Sequence, residues 1–403
     1  IFNLSFGHTV VKINCYFQLQ NHGSWCYNFC MEEDKKVCFP FVGDNIGGSY
    51  ISSLLFIKGL KKTFSSTEIV THSNGFFTKY LKKKEIKYFK LKNKTFLGEK
   101  PFFQTDFYNY FKTIKEIILF LKNKKIDIVH TNDTRIHLTW TLAARLSGCK
   151  VVWHQRSICP NWKLYKFISI FAHKIISISK YVDKSLISFN KKRSVIINNP
   201  FIFYKKKNSK HSMKKKILKK LKIHQSKKII LYVGNMRKEK RPLIFLKIAE
   251  RLQKKLNGKA IFIMFGAERD DKIFLEVLKF VKKRNYIFYL GFKDDISNYM
   301  YASDLLIAPY KNEPFGRTLV ESMLLRTPVL ASNSGAHREI IINNLNGFLF
   351  KKNKINSISQ LVFNILKNKI KIKKVIDNAY QISLLHYSIP QHVKKVNQVY
   401  NEL

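Results

Sequence analysis

The pattern of hydrophobic and polar positions divides the chain into short apolar runs and longer amphipathic segments. From Met31 onward, β-branched runs alternate with segments whose apolar residues recur at helical spacing. Such alternation is typical of βα units, which build parallel sheets covered by helices. Strands are predicted at Val37–Val42, Thr67–Thr71, Ile126–His130, Val151–His154, Ile175–Ile178, Ile229–Val233, Ala260–Phe265, Tyr286–Leu290, Leu305–Pro309 and Pro328–Ala331. Helices are predicted in the gaps, among them Ser49–Lys62, Leu243–Leu256 and Arg317–Leu325.

The predicted strands fall into two series, which the Lys-rich stretch Pro200–Lys228 separates, and a strand-like run, Val195–Asn198, precedes this stretch. We therefore expect two α/β domains, residues 31–203 and 204–385, each built on a parallel sheet. Ligands of such sheets bind beyond the carboxyl ends of the strands, so a ligand cleft is expected between the domains. Within the stretch, Met213–His224 alternates Lys with Ile and Leu at helical spacing. This pattern fits a membrane-surface helix or, as the favoured interpretation, a helix packed on the second domain.

The charge of the chain suggests a different class of protein and has to be weighed. Its 403 residues include 74 Lys and Arg against 26 Asp and Glu, a net charge of +48, while an apolar content of 45% excludes a disordered basic tail. A basic nucleic-acid-binding protein is the alternative, because clustered cations bind phosphates. However, only 12 of the cations are Arg, and the Lys residues are spread along the chain. Solvated Lys faces explain this better, so no nucleic-acid partner is expected.

Residues 1–30 differ from the rest of the chain, because they hold Lys12 and no acidic residue. Met31 opens a charged run that leads into the first predicted strand. We therefore expect translation to start at Met31 and residues 1–30 to be an upstream extension. The segment also holds cysteines and a histidine that lack the paired spacing of a zinc site, namely Cys15, Cys26, Cys30 and His22.

The other cysteines, Cys38, Cys149 and Cys159, lie singly in apolar surroundings. This is typical of free thiols in a reducing compartment. The sequence has neither a signal-peptide pattern nor an uninterrupted apolar run of about 18 residues. We expect a cytoplasmic protein with peripheral contacts to the cytoplasmic membrane face.

The strongest chemical signal is the segment Asn312–Glu321. A predicted strand leads into a loop with Glu313 and Gly316, and a helix then starts near Arg317 and carries Glu321. Glycine before a helix lets a ligand approach the backbone, and the free N–H groups of the first turn bind anions. A diphosphate fits there, with the two carboxylates placed to bind hydroxyl groups of a sugar and a ribose. The alternative is a surface carboxylate that the helix dipole favours.

This segment resembles the E-x7-E signature of glycosyltransferase group 1, family 4, and further motifs match in order over about residues 35–403. They are Gly47-Gly48-Ser49, Val129–Asn132, Trp153–Arg156, Ile196–Pro200 with Asn199 where glycine is usual, Tyr232–Lys240, Ser334–Glu339 and Asn346–Phe348. The resemblance implies the GT-B fold, in which two Rossmann-like domains face each other across a cleft. It also implies that residues 386–403 form a helix that crosses back to the first domain.

The resemblance assigns donor-binding roles to individual residues. Lys240 is implied to bind the donor diphosphate, which suits a compact ammonium. The arginine that the family has nearby is Asn235 here, and Arg237 is the candidate to replace it. The resemblance places Glu321 on the donor ribose. The other implied donor-binding positions are Gly47, Gly48, Gly234, Leu290, Phe315, Gly316, Arg317 and Thr318.

The resemblance also implies which residues face the reaction and the acceptor. Glu313 is expected to face the transferred sugar, and it is counted with Lys240, Arg237 and His154 as catalytic. His154 is placed near the sugar and the acceptor, with Arg156 beside it on the acceptor side. Without the motif order, a single histidine at a strand end is more often structural.

The implied reaction is transfer of a sugar from a nucleotide-sugar donor with retention at the anomeric carbon. Cations and amide dipoles that stabilise the departing diphosphate are its chief requirement, so neither a metal nor another cofactor is expected. The sequence lacks a suitable Asp-x-Asp, and Asp270-Asp271 and Asp294-Asp295 are predicted at helix starts and turns. No side chain is an obvious nucleophile, and we favour front-face attack assisted by the leaving phosphate.

The implied acceptor is a glycan or a lipid-linked glycan of surface polysaccharide or lipopolysaccharide synthesis. Lys79–Lys94 and Asn161–Lys174 combine Lys with aromatic residues, so either fits an anionic membrane surface or, equally, a solvated face over a core helix. A second alternative is a family member that has lost catalysis and acts as a scaffold. The presence of Glu313, Lys240 and Glu321 argues against it.

Overall fold

The computed structural model describes residues 5–6, 9–10, 35–60, 66–97, 104–203, 206–351, 354–367 and 369–403. It divides into two units, residues 1–34 and 35–403. In the first unit, β1 (Ser5–Phe6) pairs antiparallel with β2 (Thr9–Val10). The expected start at Met31 and the cysteines and histidine of residues 1–30 lie outside the described residues.

The first half of the second unit is a seven-stranded parallel sheet in the order β5-β4-β3-β6-β7-β8-β9. Helices cover it, so its central strands are buried and appear in the sequence as continuous apolar runs. The strands are β3 (Val37–Phe41), β4 (Thr67–Thr71), β5 (Phe89–Lys90), β6 (Ile128–Thr131), β7 (Lys150–Gln155), β8 (Lys174–Ser177) and β9 (Ser194–Ile196). The helices are α1 (Gly48–Leu60), α2 (Phe76–Lys83), α3 (Phe107–Asn123), α4 (Thr134–Leu146), α5 (Lys163–Ser169), α6 (Lys180–Asp183) and α7 (Ser188–Lys191).

The second half is a six-stranded parallel sheet in the order β12-β11-β10-β13-β14-β15. Its strands are β10 (Lys228–Val233), β11 (Ala260–Phe265), β12 (Ile287–Tyr289), β13 (Leu305–Ala308), β14 (Val329–Ser332) and β15 (Phe348–Phe350). Its helices are α8 (Lys210–Lys220), α9 (Pro242–Lys255), α10 (Asp271–Lys282), α11 (Ser297–Ala302), α12 (Arg317–Leu324), α13 (His337–Ile340), α14 (Ile355–Lys367) and α15 (Lys369–His386). The chain ends with α16 (Ile389–Asn401). The predicted α/β class is confirmed.

Every strand predicted from the sequence is present, with ends that differ by no more than about two residues. The pattern did not predict the edge strands β5 and β15, and it placed β9 only roughly, at residues 195–198. These strands have two or three residues, too few for a periodicity to show.

The Lys-rich segment before β10 forms α8, and the favoured interpretation of it is confirmed. Ile217 and Leu218 are buried, and the helix packs against α11 of the second half. Lys214 adds an ion pair, with its Nζ 2.6 Å from Oδ2 of Asp304. Asp270 and Asp295 also have the predicted roles, because each carboxylate accepts a backbone N–H at the start of a helix.

The last helix returns to the first half of the unit. While α15 packs on α12, α16 packs on α1. Gly59 lets these helices approach closely, because a Cβ there would lie 2.5 Å from Cγ2 of Ile389 and 2.9 Å from Cγ2 of Val393. The crossing helix therefore covers the first sheet.

Because each sheet is parallel, the carboxyl ends of its strands lie along one edge. The edges of the two sheets face each other, and side chains cross between them. Ser179 Oγ, after β8, donates a 2.7 Å hydrogen bond to the carbonyl of Pro314, after β13. The two carboxylate oxygens of Glu339 accept the backbone N–H groups of Lys180 and Tyr181, each at 2.7 Å. A cleft lined by both halves results.

Two further features concern single residues and helix length. Cys38 and Cys149 are buried free thiols, and Cys159 is a partly buried one. Among the residues that the structure describes, every helix is too short or too polar to cross a membrane.

We predict that a large side chain at position 59 separates α16 from α1. Gly59→Ile should lower the free energy of unfolding by about 1–3 kcal/mol, because the added atoms overlap Ile389 and Val393. Urea unfolding followed by circular dichroism measures the change. The control is Lys58→Ile, at an exposed position of the same helix, which should change it by less than about 0.5 kcal/mol. Equal effects of the two substitutions would contradict the close packing.

Candidate functional site

The predicted residues Lys240 and Glu313 form an ion pair in the second half of the cleft. Lys240 ends a short 3₁₀ turn after β10, and Glu313 lies in the loop between β13 and α12. The Lys240 Nζ lies 2.6 Å from Oε2 of Glu313, and both side chains are 14% exposed. The same ammonium lies 4.4 Å from the ring centre of Tyr310, a cation–π contact. The pair is therefore held in a largely desolvated position.

The ionisation of Glu313 depends on this lysine. Burial by itself raises the pKa of the Glu313 carboxyl, but the Lys240 ammonium outweighs burial and holds the pKa below its ordinary value. Burial also lowers the pKa of the neighbouring His337 imidazole to about 4. At neutral pH, Glu313 is thus ionised and His337 is neutral.

Gly316 provides the predicted approach to the start of α12. Its φ of 110° lies in the left-handed region that favours glycine, and a Cβ there would lie 3.1 Å from Cδ2 of His337. The helix begins at Arg317, so the first-turn N–H groups, Thr318 among them, are available to an anion. The ring of Phe315 is buried and stacks on Phe201, with 6.1 Å between ring centres.

The Arg317 side chain extends from α12 across the cleft and contacts α1 of the first half. Its Nη2 lies 2.9 Å from Oε1 of Glu321, one turn along α12, and its Nη1 donates to Oγ of Ser52 in α1. A Cβ at Gly48 would lie 2.7 Å from Cδ of Arg317, so only glycine fits there in this arrangement. The guanidinium also lies 4.5 Å from the ring centre of Phe201. In this structure the predicted ribose carboxylate, Glu321, is already paired.

The phosphate motif after β10 is held by its backbone and by one amide side chain. Asn235 Oδ1 accepts the N–H of Ala267 at 3.1 Å, and Gly234 N–H donates to the carbonyl of Phe265 at 2.8 Å. Arg237 pairs with a different carboxylate from Lys240: its Nε is 3.8 Å from Oε2 of Glu239, and its side chain is 48% exposed. Asn235 therefore has a structural partner, and Arg237 remains free to reorient.

The remaining predicted donor positions lie at strand ends. Leu290, just after β12, donates its N–H to the carbonyl of Met264 at 3.0 Å. Gly47 precedes α1, and its carbonyl accepts the N–H of Ile51 at 3.1 Å. Apart from its chain neighbours, no atom of the described residues lies within 4 Å of a Cβ built on it. Both positions border the cleft from opposite sheets.

His154 lies at the end of β7 inside a buried chain of hydrogen bonds. Tyr400 of α16 lies 2.6 Å from His130 Nδ1, and His130 Nε2 lies 3.0 Å from His154 Nδ1. Arg156 Nη2 lies 3.2 Å from the same His154 Nδ1. Because a guanidinium only donates, Nδ1 of His154 is the acceptor. The proton of the neutral His154 ring is therefore on Nε2. Burial, then the charge of Arg156, lowers the pKa of both histidines well below its usual value, so both are neutral.

The tautomer matters because His154 Nε2 is buried and has no partner among the described residues. A buried N–H without an acceptor is costly, so this orientation of the ring carries an uncompensated donor. His392 of α16 stacks on the ring, with 5.9 Å between ring centres and 14° between planes. The last helix thus fixes the imidazole from two sides.

Arg156 follows His154 and is held by neutral groups. Its Nε donates to Oδ1 of Asn132 at 3.0 Å, and its Nη1 donates to Oδ1 of Asn199 at 2.6 Å. Burial, then the charge of Arg317, lowers the pKa of the guanidinium to about 9, so it stays protonated at neutral pH. The structure therefore brings Arg156 to the same cleft as Arg317.

Two family models match the halves that carry these residues. Residues 213–382 match Glycosyl transferases group 1, and residues 69–201 match Glycosyltransferase Family 4. The chain belongs to these glycosyltransferases. The resemblance inferred from its motifs is confirmed.

Individual relatives agree with this assignment. The UDP-Gal:alpha-D-GlcNAc-diphosphoundecaprenol alpha-1,3-galactosyltransferase of Escherichia coli is 25% identical over 323 residues, which is 72% of this chain and 79% of the relative. The lipopolysaccharide core biosynthesis mannosyltransferase LpcC of Rhizobium leguminosarum bv. viciae is 26% identical over 117 residues, 29% of this chain and 33% of the relative.

Solved structures confirm the predicted GT-B fold. Anabaena Alr3699/HepE in complex with UDP and glucose is similar with a TM-score of 0.78 and 18% identity, covering 92% of this chain and 100% of that one. A glycosyltransferase from Rickettsia africae ESF-5 has the same TM-score at 22% identity, covering 92% and 99%.

Several residues of the glycosyltransferase's cleft were not predicted as site residues. Ser52, Ser179 and His392 contact the predicted residues or cross the cleft, but each is a single common residue outside the motif positions. His130 and Asn132 lie in a motif segment at a strand end, which was the available signal. Within the described part of the chain, no group of three or more His, Cys, Asp or Glu side chains is arranged to hold a metal.

We predict that removing the Lys240 charge makes stability depend on pH through Glu313. In the wild type, this carboxylate stabilises the fold above its ordinary pKa of 4.5, and the contribution is lost as the pH falls through the lowered pKa. In Lys240→Met, the ammonium is gone, so burial raises the pKa of the Glu313 carboxyl instead. The variant should therefore lose stability as the pH rises above 4.5, on the order of 3 kcal/mol at pH 7.

Thermal unfolding from pH 4 to pH 8 measures this effect. The control is Lys240→Met/Glu313→Gln, which has no ionisable group at position 313 and should lose the pH dependence that the single variant gains. The same pH profile in both variants would show that Lys240 does not set the ionisation of Glu313.

Proposed function

We propose that this glycosyltransferase moves a sugar, with retention, from a nucleotide-sugar donor to a glycan or lipid-linked acceptor in surface polysaccharide or lipopolysaccharide synthesis. The observation that carries the proposal is the partly buried Lys240–Glu313 pair beside the N-terminus of α12. A cation, a carboxylate and free backbone amides at one position suit a sugar joined to a diphosphate.

The donor is proposed to bind in the second half of the cleft. The α12 amides and Lys240 would bind the diphosphate, Glu321 the ribose hydroxyls and Glu313 the sugar hydroxyls. Both carboxylates are ion-paired in this structure, Glu313 with Lys240 and Glu321 with Arg317. Donor binding would therefore exchange partners, so that the cations turn to phosphate and the carboxylates accept hydroxyl groups. The UDP complexes of structural neighbours are consistent with this donor class.

The chemistry requires stabilisation of the departing diphosphate. As the bond to the anomeric carbon breaks, negative charge grows on the phosphate oxygens and positive charge on the sugar ring. Lys240 and the amides at Gly316 and Arg317 would offset the negative charge, so we propose that transfer needs no metal. We propose front-face attack, in which the leaving phosphate accepts the proton of the acceptor hydroxyl and the configuration is retained.

The acceptor is proposed to enter from the first half. The unpartnered Nε2–H of His154 would donate to a hydroxyl of the transferred sugar or of the acceptor. The Escherichia coli relative has an acceptor joined to diphosphoundecaprenol in its name, which is consistent with a lipid-linked acceptor here. Arg156 stands on this side of the cleft, with its Nη2 3.2 Å from His154 Nδ1.

A cytoplasmic location at an anionic membrane is also proposed. Helices α3 and α5 both pack on α4, and each exposes large aromatic residues beside Lys. Tyr108 and Phe111 are 70% and 65% exposed, and Trp162 and Phe167 are 52% and 59% exposed. Aromatic and Lys side chains on one side of a domain suit the interface of an anionic bilayer. This side would bring the acceptor half to a lipid-linked substrate.

We predict that a nucleotide sugar raises the melting temperature of the wild type and that the site variants abolish transfer. A thermal-shift screen of UDP-, GDP- and ADP-sugars identifies the donor, because a ligand of the folded state stabilises it. With that donor, Lys240→Ala and Glu321→Ala should each lower kcat/KM at least about 100-fold, since each removes a charged contact to the donor.

The control for these variants is Lys238→Ala, in the same 3₁₀ turn as Lys240. It removes an exposed cation that contacts neither carboxylate, so it should keep near-normal turnover. Near-normal turnover in Lys240→Ala and Glu321→Ala, with folding confirmed by circular dichroism, would refute the site.

We predict that the product keeps the anomeric configuration of the donor. Proton NMR of the first product formed in deuterated buffer, read from the anomeric coupling constant, measures it directly. An inverted product would refute both retention and front-face attack, and it would leave the donor assignment intact.

A further inference from the structure

Arg156 is a buried cation without a carboxylate. The residue is 8% exposed, and among the described residues no Asp or Glu oxygen lies within 4.0 Å of its guanidinium. Its partners are two amide oxygens, from Asn132 and Asn199, and the ring nitrogen of neutral His154. These groups orient the guanidinium without neutralising it.

Arg135, a second arginine of the first half, differs from Arg156 because carboxylates compensate its charge. Arg135 lies in the same half, near the end of β6, and it pairs with Asp44 at 2.8 Å and Asp133 at 3.0 Å. Its side chain is 35% exposed, so it has both counter-charges and water. Arg156 has neither, although a charge taken out of water is costly unless it is paired.

The second observation is the position of Arg156 in the cleft. It follows β7, at the carboxyl edge of the first sheet, and the charge of Arg317 from the opposite half acts on it. Of its five N–H groups, three donate to the partners above, which leaves one on Nη1 and one on Nη2 without a partner among the described residues. Two N–H groups on the two terminal nitrogens suit an oxyanion, which binds arginine through two oxygens.

We propose that Arg156 is a preformed phosphate-binding position, at which the guanidinium, oriented by Asn132, Asn199 and His154, binds a phosphoryl group of one of the substrates. This inference rests on the proposed function for the identity of the phosphate. The phosphate belongs to the donor diphosphate or to a phosphorylated acceptor, since both would enter the cleft. Binding supplies the counter-charge that the protein itself does not provide.

The sharpest test is Asn199→Asp. Asn199 is buried, and its Oδ1 already accepts from Arg156 Nη1 at 2.6 Å, so the substitution places a carboxylate there with almost no change of shape. The guanidinium remains, but the new carboxylate at position 199 compensates its charge. A second variant, Arg156→Gln, removes the charge and keeps a hydrogen-bonding group.

Isothermal titration calorimetry is used with defined probes. UDP tests the donor source, and geranyl diphosphate, added to UDP-saturated protein, tests the acceptor source. If the phosphate is the donor's, both variants should raise the Kd of UDP at least about tenfold, as expected for a lost charged hydrogen bond. If it is the acceptor's, UDP should bind normally and the Kd of geranyl diphosphate should rise by that factor.

Unchanged Kd values for both probes, in variants that are folded by circular dichroism, would overturn the proposal and leave Arg156 a structural residue. If the wild type binds no UDP, GDP and ADP are titrated in its place, and binding of none of the three would contradict the proposed donor class. Inorganic pyrophosphate, titrated in the same way, then decides the phosphate position by itself: a tenfold weakening in both variants supports it, and no change refutes it.

The matched control is Asn190→Asp. Asn190 in α7 is also buried, and its Oδ1 accepts from Arg193 Nη2 at 2.7 Å. It precedes β9, so it lies at the opposite edge of the sheet from the cleft. The same substitution beside another arginine should leave all three Kd values unchanged. A change in any of these Kd values would show that the effect of Asn199→Asp does not depend on its contact with Arg156.

Discussion

The side chain of Arg317 is the contact on which the arrangement of the cleft depends. The residue is the first of α12. Its side chain packs against Gly48 and donates to Ser52 in the first half. The guanidinium also lies over the ring of Phe201 and pairs with Glu321. One residue therefore fixes the distance between two helix N-termini and also occupies a carboxylate that we assign to the donor. Because these contacts share a single guanidinium, a ligand that recruits Arg317 or Glu321 also changes how the halves are held together.

The net charge of +48 says little about the cleft, where only a few cations matter. Lys240 and Arg317 each have a carboxylate partner, and Arg156 has none within the described part of the chain. A paired cation keeps its carboxylate ionised and in position, while an unpaired buried one attracts an anion. The cleft thus combines two ion-paired cations with one whose described partners are all neutral. Most of the other Lys side chains are solvated and contribute to neither.

The fold could be predicted because its signals are local. Parallel strands buried on both faces, such as Ala260–Phe265, appear as unbroken apolar runs, and the helices between them show their own period. The short edge strands β5 and β15 were not predicted, because two or three residues are too few to show a hydrophobic period. The Glu313–Glu321 spacing was also visible, since a loop and the helix that follows it are continuous in sequence.

By itself, the sequence determined the α/β class, the two series of strands, the family and the spacing of Glu313 and Glu321, because each depends on residues near one another in the chain. Only the tertiary structure decided that Arg156 meets Asn199, that Tyr400 reaches His130 and that Arg317 reaches Ser52. Those partners are separated by 43, 270 and 265 positions. Whether a charge is compensated depends on such contacts, and packing across the cleft, not spacing along the chain, creates them.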